Sequence, residues 1–169
     1  MKTLALALAT IGLFATSTAQ ASLADLSSWT TVGNASASTE QANLTAYGTI
    51  SSKVSNVTSF DWFFQAKDYM PFNDYGWYRL DSGAINVLSN VSAVGDYGNS
   101  GWQTFIFDTA FTGTLTFGVN NEMDTGLSSE LYIKNVESAS KVPEPVSLSL
   151  VAMGLAGLGL SRRKARQAA

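Results

Sequence analysis

The 169-residue chain contains no cysteine and no histidine. Without thiols no disulfide can brace the fold, so a hydrophobic core must hold it, with a bound metal as the only other aid. Without imidazole the commonest general base and the commonest transition-metal ligand are missing. Ser-His-Asp and Cys-His catalysis are excluded, as are zinc sites built on His or Cys. Carboxylate chemistry and hard-cation binding stay open. Positive charge is scarce as well. Between Ser22 and Pro143 five basic residues face twelve acidic ones, a net charge of −7 against −3 for the whole chain. So acidic a region repels nucleic acid and anionic membrane surfaces, and is compatible with divalent cations and neutral glycans. The same region shows no 3.6-residue apolar period of the kind an amphipathic helix needs.

The two ends read differently. Lys2, the apolar stretch Leu4 to Phe14 and the small-x-small run Ala19-Gln20-Ala21 form a secretory signal peptide, with cleavage expected between Ala21 and Ser22. At the other end, Val142-Pro143-Glu144-Pro145 precedes an apolar run of fifteen residues, Val146 to Leu160, closed by Arg162, Arg163, Lys164 and Arg166. As a helix that run covers roughly 22 Å, short of the ~30 Å hydrocarbon core. Gly154, Gly157 and Gly159 weaken it by up to about 1 kcal/mol each, and its basic flank belongs on the cytoplasmic side. A weak span suits a segment that is held briefly and then lost.

This Pro-Glu-Pro motif, hydrophobic helix and Arg-rich tail together resemble the PEP-CTERM sorting signal of Gram-negative bacteria. The resemblance implies transient inner-membrane anchoring, removal of the tail by an exosortase, and delivery to the cell surface or extracellular matrix, where exopolysaccharide is a natural partner. Pro143, Glu144, Pro145, Arg162, Arg163 and Lys164 would be its sorting residues. The expected division is a signal peptide at 1–21, a domain at 22–141 and a sorting segment at 142–169.

The middle region is rich in Thr, Val, Phe, Tyr, Trp, Gly, Ser and Asn, a mixture that favours strands and turns. Strands are expected at Trp29–Val32, Ala42–Ile50, Val57–Ala66, Tyr75–Leu80, Ala84–Val91, Trp102–Phe107, Gly113–Asn120 and Glu130–Val136. Period-two sets mark their buried faces: Phe60, Trp62, Phe64 and Ala66 in one, Ile85 and Val87 in another, then Phe105 with Phe107, Leu115 with Phe117 and Val119, and Leu131 with Ile133. Eight strands without a helix predict an all-β fold, a jelly-roll-like antiparallel β-sandwich, flanked by an N-terminal signal helix and a C-terminal short hydrophobic helix. The stretches Thr58–Tyr78, Gly101–Phe107, Gly113–Val119 and Ser129–Val136 are similar to bacterial surface β-sandwich modules. The chain departs from that pattern at Lys134, where an acidic residue is usual, and the departure argues against a cation site on that strand.

Two acidic loops carry the candidate sites. Asp68, Asn73 and Asp74 flank Pro71, and Asp124 and Glu130 follow Glu122. Calcium takes six to eight such oxygens, so these residues form a candidate ligand or calcium loop. The same side chains also bond their own backbone in turns. No Asp-x-Asp-x-Asp series marks an EF-hand. A carboxylate pair from the second loop, with Asp108 from a neighbouring one, would be needed for glycoside hydrolysis, but loop acids usually face solvent, so no enzyme and no organic cofactor are expected. Trp62, Tyr69, Phe72, Tyr75, Trp77 and Tyr78 crowd into seventeen residues. Phe60, Trp62 and Phe64 are expected inside, whereas Tyr69 and Phe72 lie beside a turn where rings can stack on sugars. The functional expectation is an exported structural or adhesive surface protein, with a carbohydrate- or calcium-binding module as the alternative.

Overall fold

A computed structural model describes residues 21–139. The expected leader with Ala19, and the expected sorting residues Pro143, Glu144, Pro145, Arg162, Arg163 and Lys164, lie outside the described residues. No helix among the described residues is long and apolar enough to cross a membrane. The strands are β1 Ala21–Leu23, β2 Thr30–Val32, β3 Ala35–Ala37, β4 Gln41–Thr45, β5 Thr49–Gln65, β6 Tyr75–Leu80, β7 Ile85–Asn90, β8 Gln103–Asn120 and β9 Glu130–Ala139. One helical turn, α1, covers Val91–Val94. All the pairings are antiparallel, in the order β3-β4-β9-β5-β8-β6-β7, with β1 added to β9 and β2 to β5.

The sheet does not lie flat. Ile50 pairs with Phe117, and Phe60 pairs with Phe105. Ten residues of straight strand would hold Phe60 roughly 33 Å from that first pair. Yet the Phe60 and Phe117 rings meet edge to face with centroids 4.8 Å apart. The long β5–β8 pair therefore folds over, and its two halves face each other. The bend has visible causes. Asn56, at φ 54°, adds a residue to β5 between the pairs Val54–Gly113 and Val57–Phe111. Between Val57–Phe111 and Ser59–Ile106, two residues of β5 then span five of β8. Bulges of this kind bend a strand and increase its twist.

The core fills the fold between the halves. Phe60, Phe64, Ile50, Leu115, Phe117, Val119, Leu131 and Ile133 are essentially fully buried, with Phe105, Phe107, Tyr78 and Trp62 packed against them. Each fully buried side chain of this size stabilises by about 1.5–3 kcal/mol. The rings meet in sequence: Phe60 stacks on Phe105 at 5.0 Å, Phe105 meets Phe107 edge to face at 5.0 Å, and Tyr78 lies tilted against Phe105 at 4.8 Å. Trp77 lies over Gly118, where an added Cβ would collide with the indole.

Four sequence expectations change. The single strand Ala42–Ile50 is two, because Ala46 and Tyr47 both take positive φ and Gly48 N–H closes the turn on Thr45 O. The pair Trp102–Phe107 and Gly113–Asn120 is one strand, since the bulge opposite Val57 and Ser59 bends β8 without ending it. Ile85 and Val87 are not a buried face: they are 42 % and 54 % exposed, because β7 is the outermost strand and only its end, at Ser89, turns inward. Finally, β1 and β3 appear where no element was expected, and α1 begins at Val91, where the expected strand Ala84–Val91 ended; each is too short to show a period.

Candidate functional site

From Phe63 through the end of β5 and on to Tyr69, burial alternates. Phe64, Ala66 and Asp68 are buried, while Phe63 and Gln65 are half-exposed and Lys67 and Tyr69 exposed. The odd-numbered residues thus line the outer face. Register brings partners beside them: Tyr132 lies across from Phe63, Glu130 across from Gln65, and Lys134 across from Asp61. On the far side of β9, Asn43 pairs with Tyr132 and Gln41 with Lys134. On the other side of β5, Gln103 pairs with Trp62, which sets Trp102 next to Phe63.

Three rings meet on this face. Phe63 lies 5.6 Å from Trp102 and 5.8 Å from Tyr132, the latter edge to face. Gln41, Gln65, Lys67 and Glu130 join them to line an open groove of about 270 Å³. The polar groups are held in place. Lys67 Nζ sits 3.7 Å from Glu130 Oε2, and Tyr132 Oη donates to the same oxygen at 2.7 Å. Gln65 Nε2 donates to Ala66 O, Gly98 O and Tyr97 O at 2.9–3.2 Å. Lys134 Nζ lies over the Trp102 ring, 3.8 Å from its centroid; such cation–π contacts hold both partners. Partial burial, reinforced by the Glu130 carboxylate as acceptor and as charge, pushes the Tyr132 phenol up to about 12. Tyr132 therefore remains a hydrogen-bond donor across the physiological range.

Four of the five candidate residues, Asp68, Asn73, Asp74 and Asp124, accept from backbone N–H groups. Asp74, fully buried at the start of β6, accepts from Glu122 N at 2.9 Å and from Ser129 N at 3.1 Å, so one carboxylate ties down both ends of the loop before β9. Asn73 Oδ1 accepts from Ser92 N and Asp124 Oδ1 from Gly126 N. Asp68, also fully buried, accepts from Tyr69 N through Oδ1, and its Oδ2 has no hydrogen-bond partner. No group of three or more Asp or Glu side chains suited to hold a metal occurs among the described residues. Of the five candidates, Glu130 alone lines the groove. Asp108 is not in a loop at all; it is exposed within β8.

Two further hollows lie elsewhere. One, of about 410 Å³, borders Trp62, Tyr78 and Phe105, whose rings pack against the core. A larger one of about 690 Å³ beside β1 is lined by Leu23, Ala24, Asp25, Thr39, Glu40, Gln41, Lys134 and Asn135, none of them aromatic. Sequence reasoning missed Phe63, Trp102 and Tyr132 as a set. The alternation from Phe60 to Ala66 does put Phe63 on the outer face, but only strand pairing shows that two more rings stand beside it. No family model matches this chain, and no curated protein proves similar to it.

Proposed function

We propose that this chain is an exported, non-enzymatic surface or matrix protein that binds polysaccharide through the outer face of β5 and β9. The observation that carries the reading is the groove itself. Phe63, Trp102 and Tyr132 remain outside a core that is already rich in aromatic rings, and hydrogen-bonding side chains surround them. Rings beside convergent polar groups are how a site equips itself for a sugar, whose carbon-bound hydrogens stack while its hydroxyls bond. The hollow beside β1 is larger but has no ring to stack on.

The folded-over sheet is read as a jelly-roll-like β-sandwich, with the groove on one outer face. The composition of the two ends supports the rest of the reading: a leader removed after Ala21, and a PEP-CTERM-like tail that anchors the chain in the inner membrane until an exosortase removes it. The points where these segments join the domain are neighbours, since Ala21 and Ala139 are cross-strand partners. Calcium has weaker support, because Asp74 spends both carboxylate oxygens on backbone N–H groups.

Retention of the exported protein on immobilised polysaccharides tests the binding. Trp102→Ala should abolish retention while leaving the melting temperature within a few degrees, since Trp102 is 43 % exposed. Equal retention of this variant would remove the groove from the reading. Mass spectrometry of the exported protein tests the sorting, with ends expected at Ser22 and before Val146.

A further inference from the structure

Two more exposed rings, Tyr69 and Tyr97, lie beyond Lys67. The chain beyond β5 keeps its alternation, with Asp68 buried and Tyr69 exposed. It also keeps a neighbour. Ala66 N donates to Gly98 O, Ser100 N to Phe64 O and Tyr97 N to Asp68 O, at 2.9–3.0 Å, and Gln65 bridges to Asn99. Tyr97 lies in the turn before that bridge, at φ 56°, and Gln65 Nε2, on the outer face, donates to its carbonyl at 3.2 Å, which brings the turn beside that face. Tyr97 is 56 % exposed and Tyr69 39 %, and their rings lie 6.0 Å apart. The backbone amide of Met70 is tied to Asp96 Oδ1 at 3.0 Å, which fixes the loop bearing Tyr69 against the loop bearing Tyr97.

One face therefore carries rings at both ends and polar groups between. Phe63, Tyr132 and Trp102 stand at one end, Tyr69 and Tyr97 at the other. Phe63 and Tyr69 are six residues apart, roughly 20 Å along an extended chain. Along β5 and β9 the charges balance, Lys67 and Lys134 against Asp61 and Glu130, and Asp96 beside Tyr97 adds a negative charge that disfavours an anionic ligand. We infer that Tyr69 and Tyr97 form a second stacking subsite, and that the ligand is an uncharged polysaccharide chain laid along β5 rather than a single sugar. The inference rests on the glycan reading above and adds to it the length and charge of the ligand.

The test uses the exported protein with a neutral β-glucan, its disaccharide, tetrasaccharide and octasaccharide, and a polyuronate as charged control. Affinity should climb with chain length until both ends are spanned. Tyr97→Ala should lower affinity for the polymer and octasaccharide about tenfold, the equivalent of about 1.4 kcal/mol, and leave disaccharide affinity within about twofold. Tyr97→Phe, which keeps the ring, should retain polymer affinity; a loss as large as that of the alanine variant would overturn stacking as the role. If Tyr97→Ala binds the polymer like the parent while Trp102→Ala does not, the second subsite is wrong and the groove stands. Should the parent bind no neutral glycan of any length, both ideas go together. Tighter binding of the polyuronate than of the β-glucan sinks the uncharged ligand alone. Melting temperature separates unfolding from lost contact, and Tyr97, being mostly exposed, is the variant to rely on.

Discussion

Phe60 and Phe63 stand three residues apart in one strand and have opposite fates. Phe60 is fully buried and contacts four other rings, Phe105, Phe107, Phe117 and Tyr78. Phe63 stays at the surface with Trp102 and Tyr132 for company. Hydrophobicity does not separate them, because the side chains are identical. Parity does: in a strand successive side chains point to opposite faces, and the bulges around Asn56 and Ser59 set which parity faces in. Before Asn56 the inward residues are even-numbered, Ile50 among them; at Val57 the buried position is odd; from Phe60 it is even again. A ring at the surface is thus a placement with a cost in exposed apolar area, and the proposed glycan binding would give that placement a use.

The comparison can be broken from the inside first. Phe60→Ala should cost about 3–5 kcal/mol, seen as a fall in the denaturant midpoint, while Phe63→Ala should cost under about 1 kcal/mol and remove glycan binding. Equal costs at the two positions would mean that the outer cluster is part of the core. Next comes the strut that holds the loop entering β9. Asp74→Ala leaves two backbone N–H groups without their acceptor, at about 1–3 kcal/mol each when buried; proteolysis within residues 122–129 should rise with the fall in stability. A third change tests parity itself. Asn56 sits at φ 54°, a region hostile to β-branched side chains. Asn56→Val should therefore cost about 1–2 kcal/mol, against a few tenths for Asn56→Gly, by equilibrium unfolding.

The smallest effect belongs to the groove and appears only in alkali. The Tyr132 phenol is raised from 10.0 to about 12, so the folded protein binds its proton more tightly than the unfolded chain does. The contribution is fully present below pH 10 and is lost as the pH rises from about 10 to about 12. Tyr132→Phe should flatten that part of the stability–pH curve and leave stability at neutral pH changed by under about 1 kcal/mol. An unchanged alkaline slope would show that burial and the Glu130 carboxylate do not raise the Tyr132 phenol.

Much of the fold was legible in the chain. The sets Phe105–Phe107, Leu115–Phe117–Val119 and Leu131–Ile133 face inward as their period-two spacing requires, because alternation is a local property that needs no knowledge of neighbours. Tyr75–Leu80 matches β6 residue for residue. Failures fall where the deciding contact is remote. Ile85 and Val87 alternate as well as any buried pair, yet among the described residues β7 has no strand beyond it. The acids were legible as loop residues, but not as struts, since the partners of Asp74 lie 48 and 55 residues away.

Residue order alone determined the absence of thiol and imidazole chemistry, the acidity of the middle region, its β character and most of its buried faces, because composition and alternation are properties of neighbours along the chain. Only the tertiary structure decided that β5 and β8 fold over, that Phe63, Trp102 and Tyr132 gather, and that Tyr97 comes beside Tyr69. Those depend on which strands pair and in what register. Register is fixed by bulges and by the sum of cross-strand contacts, and no single segment carries that information by itself.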